Sequence, residues 1–200
     1  MIEEEIVRAR DLEERIEGQV FQNETAEGLD AEKTEFDRVR FERCRFLNCD
    51  FTGAVFRDVV FVNCDLSNCV LAHTYWKKVE IRSCKLQGTD LKESSLHAVR
   101  MTDTKLDYAN FTRCRLEQVK LEQSTLVNTS LTQIKWKKME LTECRLIGTD
   151  FFKTSLNGVD LSACELEQPV LSEDLWEIRG AKMDALQAAE IVRLLGVTIV

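Results

Sequence analysis

A chain of 200 residues with 44% hydrophobic and 31% charged residues has the composition of one soluble globular domain. One proline and eight glycines exclude a collagen-like chain and count against disorder. No apolar stretch approaches the ~20 residues of a membrane span, and the acidic first residues differ from the basic start of a secretory signal, so we expect a cytoplasmic protein.

The formal net charge of −8 is unevenly distributed along the chain. Residues 1–33 carry 11 acidic and 4 basic side chains, whereas residues 34–176 carry 21 acidic and 20 basic side chains. A strongly acidic body would be the simplest sign of a protein that mimics nucleic acid, and the body of this chain is close to neutral.

The N-terminal segment has the periodicity of an amphipathic helix. Three glutamates fall in its first turn, where the helix dipole favours negative charge, and Gly18 is expected to end it. The following residues are polar and fit no repeat, so we interpret residues 1–33 as an N-terminal capping helix and an acidic linker. The apolar residues on the predicted helix face are Ile2, Ile6, Ala9, Leu12 and Ile16.

Residues 34–176 follow a sequence repeat of five residues. Every fifth residue from Phe36 to Trp176 is large and apolar, with no change of register. The residue two positions earlier is small in almost every repeat. Because this period is neither the 3.6 of an α-helix nor the 2 of an ordinary strand, we expect two side chains of each pentapeptide to point inward.

A second period, four times as long as the first, predicts coils of four pentapeptides each. About seven such coils would stack into a rod of roughly 34 Å. Valine and cysteine recur at this interval in the small position. Glycine and asparagine recur two residues after the large one, as at Gly53 and Asn48, where left-handed corners favour them. Representative residues of the predicted core are Cys44, Cys64, Cys84, Val39, Val59, Val79, Phe46 and Leu106.

The repeat unit, as in Cys64-Asp-Leu-Ser-Asn and Ala109-Asn-Phe-Thr-Arg, resembles that of the pentapeptide-repeat family. The resemblance implies an all-β fold, a right-handed quadrilateral parallel β-helix with capping helices at both ends. The best-known members are quinolone-resistance proteins, rod-shaped dimers that bind DNA gyrase and topoisomerase IV and are thought to mimic B-DNA. This chain departs from several of them, because its unbroken frame leaves no room for a projecting loop and its coils are nearly neutral.

Residues 177–200 are interpreted as a C-terminal helix and tail that cap the solenoid. Asp184 and Gln187 have the spacing of a capping box, and the helix is expected to run to Leu195 and to stop at Gly196. The resemblance also implies a homodimer through this segment. The candidate dimer contacts are Leu186, Leu194, Leu195 and Ile199.

No motif in the sequence carries catalytic or metal-binding chemistry. All eight cysteines occupy the small inward position, so we expect buried free thiols. The sequence has no Cys-x-x-Cys pair, only two histidines, no nucleophile elbow and no phosphate-binding loop. We therefore predict a non-enzymatic protein with no catalytic residue, no metal and no cofactor.

The most distinctive surface feature is a duplicated Trp-Lys-Lys motif, which starts at Trp76 and again at Trp136. The offset between the copies is three coils, so both are expected on one face, about 14 Å apart. One interpretation is a solvated face with tryptophan in the core. The other is a docking site for an acidic partner or a phosphate backbone. The candidate partner surface is Lys77, Lys78, Lys137 and Lys138.

The sequence therefore predicts a solenoid that acts as an interaction surface. Two partner classes stay open: a type II topoisomerase such as DNA gyrase, bound by DNA mimicry, and an unidentified protein for which the chain is a structural scaffold. A nucleic acid is not expected to bind, because four lysines without interleaved exposed aromatic residues are a weak signal. A membrane is not expected to bind either.

Overall fold

The computed structural model describes residues 1–199, so that the last residue of the predicted tail, Val200, lies outside the described residues. The chain folds into a right-handed parallel β-helix with one α-helix at each end, as predicted. Each strand pairs with its counterpart in the next coil, so that Phe36 lies beside Phe56 and Phe56 beside Trp76. Residues one coil apart in the sequence are therefore strand neighbours, as the longer of the two sequence periods predicted.

Helix α1 spans Ile2–Asp11 and helix α2 spans Ala185–Leu194, with a single turn of 3₁₀ helix at Trp176–Ile178. The strands between them are β1 (Ile16–Glu17), β2 (Val20–Gln22), β3 (Thr25–Glu27), β4 (Glu35–Asp37), β5 (Arg40–Glu42), β6 (Arg45–Leu47), β7 (Val55–Arg57), β8 (Val60–Val62), β9 (Tyr75–Arg82), β10 (Ser95–Thr102), β11 (Arg115–Glu122), β12 (Lys135–Thr142), β13 (Arg145–Ile147) and β14 (Glu165–Glu167).

Each coil has four faces, which we number 1 to 4 in chain order. The coil that starts at Phe36 centres its faces on Phe36, Phe41, Phe46 and Phe51. Face 1 is the parallel stack β1-β4-β7-β9-β10-β11-β12. Strands β9 to β12 also continue into face 2, where they follow β2, β5 and β8. Faces 1 and 2 are therefore the most continuous sheet surface of the rod.

The corners between faces use left-handed backbone. Every fifth residue from Gly18 to Gly158 has a positive φ. Glycine and asparagine account for only part of this series, because charged residues such as Lys78 (φ 54°) and Arg113 (φ 60°) adopt the same conformation. The stacking of successive coils thus imposes this conformation on residues that rarely adopt it in isolation.

The core is a set of columns in which like side chains stack on like. The rings of Phe36 and Phe56 are parallel with centroids 5.1 Å apart, and those of Phe41 and Phe61 are 4.9 Å apart. Each of the eight representative core residues named above is at most 2% exposed. All eight cysteines are buried and free.

The interpretation of residues 17–33 as a linker is wrong, because these residues form the first coil. Ile16 pairs with Phe36, Phe21 with Phe41, and Ala26 with Phe46. The inward period of five was hidden because the small positions of this coil hold larger, mostly polar residues. Glu24 is one of them, and its carboxylate accepts a hydrogen bond from the backbone N–H of Ile2 in α1. The solenoid therefore has about eight coils instead of seven.

Helix α1 is shorter than predicted. Ile2, Ile6 and Ala9 are buried against the first coil, but Leu12 is 58% exposed and Ile16 belongs to β1. The helix ends early because Glu13 adopts a left-handed conformation that turns the chain into the first coil, well before Gly18.

The C-terminal cap follows the sequence prediction closely. Asp184 accepts a hydrogen bond from Gln187 N at 2.8 Å, and the Gln187 side chain accepts one from Asp184 N at 3.0 Å. The coil itself runs past residue 176, because Lys182 still pairs with Asp160. Within residues 1–199, no helix has both the length and the apolar character needed to cross a membrane.

Candidate partner-binding face

The four lysines of the predicted partner surface lie on or at the edge of face 1, as the three-coil offset between the two motifs predicted. Strand register places Lys77, His97, Glu117 and Lys137 in one column. Glu117 lies between the two motifs, with its carboxylate 3.4 Å from His97 Nδ1 and 3.7 Å from Lys137 Nζ. The column is therefore positive at both ends with a carboxylate near its centre.

Lys78 and Lys138 occupy a second column, at the corner between faces 1 and 2. The short side chain of Ala98 lies between them and opens a notch of about 440 Å³. Most cations of this notch already have partners: Lys78 Nζ is 3.7 Å from Asp58, and Lys120 bonds to Glu140. The notch is therefore only weakly positive.

The two tryptophans of the duplicated motif are not equivalent. Trp76 is fully buried, and its Nε1 donates a hydrogen bond to Thr74 Oγ1 at 2.6 Å. The residue equivalent to Thr74 in the second copy is Ile134, which has no hydroxyl. Trp136 instead donates to the carbonyl oxygen of Ser155 and is only half-buried. The interpretation with tryptophan in the core therefore holds fully for Trp76, whereas Trp136 packs against the core and stays partly exposed.

Face 1 is the positive face of the rod. Its outward and corner positions between residues 35 and 158 carry eight basic and four acidic side chains. Faces 2 and 4 each carry two more acidic than basic side chains from residue 34 onward. Residues 1–33, which include α1 and most of the first coil, hold most of the negative charge. The acidic surface is therefore at one end, and the long positive surface is on one side.

The four candidate dimer contacts lie on the outer side of the C-terminal end. Leu186 is 80% exposed and Leu195 is 61% exposed, and both Leu194 and Ile199 are also exposed. The opposite side of α2 packs on the last coil, where Ile191 is buried. The rest of the described chain therefore leaves all four side chains accessible to a partner.

Burial and hydrogen bonds between stacked thiols shift the pKa values of the buried cysteines in both directions. Burial raises the pKa of the Cys114 thiol to about 12. A hydrogen bond from Cys144 lowers the pKa of Cys164, which lies beneath α2. Among residues 1–199, no group of three or more histidine, cysteine, aspartate or glutamate side chains is arranged to hold a metal ion.

Comparison with known families identifies the repeat. The model of the pentapeptide repeat region matches residues 34–111 and 74–151, and that of eight pentapeptide repeats matches residues 137–168. The chain belongs to the pentapeptide-repeat family. No match was found among curated proteins.

Two solved structures of QnrB1 variants share the fold. One trypsin-treated variant of QnrB1, a plasmid-mediated fluoroquinolone resistance protein, has 22% identity and a TM-score of 0.62 over 93% of this chain and 98% of that chain. A second has 22% identity and a TM-score of 0.59 over 93% and 97%. HetL of Nostoc sp. strain PCC 7120, a protein involved in heterocyst differentiation regulation, has 14% identity and a TM-score of 0.33 over 89% and 93%.

Proposed function

We propose that this pentapeptide-repeat protein is a non-enzymatic protein-interaction solenoid that docks a protein partner on face 1, across β9 to β12. The observation that carries the proposal is a rigid, positively charged face with the half-buried Trp136 beside Lys135 and Lys137. Tryptophan is enriched at protein interfaces, where large aromatic side chains anchor the contact, and the neighbouring lysines add charge that can complement an acidic partner.

We further propose a type II topoisomerase, DNA gyrase in particular, as the first partner to test. The support is the likeness in fold to QnrB1, which is described as a fluoroquinolone resistance protein. The charge pattern restricts how such a partner could be bound. Mimicry of DNA requires a negative surface, and the N-terminal end supplies more of it than any face of the coils.

The alternative partner is another protein with an acidic surface, for which the positive face 1 is complementary. Under this alternative the chain is a scaffold without topoisomerase activity. The eight free cysteines also lead us to propose a reducing compartment such as the cytoplasm.

A gyrase supercoiling assay with and without a fluoroquinolone tests the topoisomerase proposal. We expect inhibition, or rescue from the drug, in the micromolar range or below (about −8 kcal/mol). The double variant Lys77→Glu and Lys137→Glu should weaken the effect if face 1 binds. The matched control is Lys85→Glu with Lys105→Glu, a stacked lysine pair on face 3.

The outcomes separate the two partner classes. No effect of the wild-type protein in either arm would remove the topoisomerase proposal and leave the scaffold alternative. Cross-linking to a partner measures the second class. If the wild type and the face 1 double variant capture the same partner equally well, face 1 is not the binding surface.

We also propose a homodimer through the exposed leucines of α2. Their exposure leaves an apolar surface that a twofold contact would cover. Light scattering of the full-length protein should give twice the mass of the 23.1 kDa chain. A mass of one chain at about tens of micromolar protein, where a stable dimer should form, would contradict this proposal.

A further inference from the structure

A groove of about 850 Å³ lies along the corner between faces 4 and 1, on the other side of face 1 from the Ala98 notch. We call it the arginine groove and define it by its four cations, Arg113, Arg115, Lys135 and Lys153. None of these residues belongs to the duplicated Trp-Lys-Lys motif. The sequence therefore did not indicate this groove, because its cations become neighbours only in the folded solenoid.

The positive charge of the arginine groove is largely uncompensated. Its one acidic residue, Glu93, lies 3.5 Å from Arg113. Within residues 1–199, the other three cations form no ion pair with a carboxylate. The cations of the Ala98 notch, by contrast, are mostly paired. Charge of this kind at a concave surface attracts an anionic ligand more strongly than charge on a flat, paired surface.

The cations form two parallel rows on a rigid backbone. Arg115 and Lys135 are direct neighbours in the register of β11 and β12. Arg113 and Lys153 are corner residues two coils apart, about 10 Å at strand spacing. Gln133 lies between them and accepts a hydrogen bond from Arg113 Nε at 3.0 Å, which holds the guanidinium at the groove and leaves its Nη2 without a partner among residues 1–199.

We propose that the arginine groove binds an extended acidic segment of a protein partner, with at least two carboxylates that bridge the two rows of cations. This inference rests on the proposed function of the chain as a protein-interaction solenoid. Alternate residues of an extended segment lie about 6.6 Å apart, between the ~4.8 Å of cations one coil apart and the ~10 Å of cations two coils apart, and the long arginine and lysine side chains can span the difference. Arginine and lysine bind such carboxylates through charge-assisted hydrogen bonds.

The surroundings favour a peptide over a nucleic acid. Carboxylates lie at both sides of the groove: Glu93 lines it at the corner, and Glu117 lies on face 1 two residues along β11 from Arg115. A continuous phosphate backbone would place negative charge close to these carboxylates of the chain. A peptide can place neutral residues there and keep its own carboxylates beside the cations. The cations span only about 10 Å along the rod, which is too short a row to fill the contact area of at least about 600 Å² that a specific nucleic-acid interface buries.

Fluorescence anisotropy of the full-length protein with a fluorescein-labelled peptide of alternating glutamate and serine tests the proposal. We expect saturable binding, no binding of the same peptide with glutamine in place of glutamate, and a loss of about tenfold in affinity for Arg115→Gln with Lys135→Gln. The control Lys85→Gln with Lys105→Gln removes the same charge from face 3 and should bind like the wild type. Circular dichroism checks that each variant is folded.

Three results would overturn the inference: no binding to the wild-type protein, equal binding by the groove variant, or tighter binding of a DNA duplex than of the peptide. The proposed function is tested separately by the double variant Lys77→Glu and Lys137→Glu, which leaves all four cations of the groove in place. Absence of peptide binding to the wild-type protein, with partner capture intact, would therefore count against the groove alone.

Discussion

At the scale of single residues, one substitution between the two copies of the duplicated motif changes the surface of the rod. The small position holds Thr74 in the first copy and Ile134 in the second. The hydroxyl of Thr74 gives the indole N–H of Trp76 a partner inside the core. Because a buried N–H without a partner is costly, Trp136 turns toward a carbonyl at the surface instead.

Thr74→Val should therefore destabilise the protein by more than the loss of a single hydroxyl would. It removes the acceptor of the Trp76 indole, and the hydroxyl also lies 2.9 Å from Ser94 Oγ and donates to Leu71 O. We expect the free energy of unfolding in urea to fall by about 1–3 kcal/mol. The control is Thr129→Val, because the Thr129 hydroxyl makes one hydrogen bond, to Leu106 O, and its loss should cost less. Equal losses in the two variants would contradict this account.

At the scale of elements, the two terminal helices close the open edges of the solenoid by different means. Helix α1 covers the first coil with apolar side chains. Helix α2 buries Ile191 and adds a polar contact: Gln187 Nε2 donates to the carbonyls of Leu161 and Cys164 in the last coil. Both devices cover strand edges that would otherwise promote aggregation.

Ile6→Ala should weaken the N-terminal cap. Ile6 is fully buried, so its truncation should lower the free energy of unfolding by about 2–4 kcal/mol and favour aggregation through the first coil. The neighbouring Val7 is 49% exposed, and Val7→Ala should change stability by less than about 0.5 kcal/mol. Chemical denaturation and size-exclusion chromatography measure both effects. An Ile6→Ala variant as stable as Val7→Ala would show that α1 does not cap the rod.

At the scale of the whole molecule, a buried thiol in the middle of the rod makes the stability of the fold dependent on pH. The Cys114 thiol has a raised pKa of about 12 because it is buried. The unfolded chain releases this proton near pH 8.5, whereas the folded chain keeps it. The stabilisation is therefore complete below about pH 8.5 and is lost as the pH rises toward 12.

Cys114→Thr should flatten this alkaline decline. Threonine already occupies the same column at Thr74 and Thr154, so the fold should tolerate it. Between about pH 9 and 11, the free energy of unfolding should fall less steeply than in the wild type, by up to about 1.4 kcal/mol per pH unit. Urea unfolding at pH 8, 10 and 11 measures the difference. Parallel curves over this range would show that Cys114 is not the titrating group.

The sequence alone determined the repeat, the length of each coil and most of the core. These follow from local regularity, since almost every inward position from Phe36 onward repeats the same choice of small and large side chains. The capping box at Asp184 and Gln187 was readable for the same reason, because all its contacts lie within one turn of helix.

Only the tertiary structure decided the first coil, the position of Trp136 and the arginine groove. The first coil lacks the small-residue pattern because one side of it meets a helix instead of another coil. Trp136 depends on which hydrogen-bond acceptor lies within reach across coils. The groove joins cations from three successive coils that become neighbours only when the coils stack, because spacing across coils is set by strand pairing and not by order along the chain.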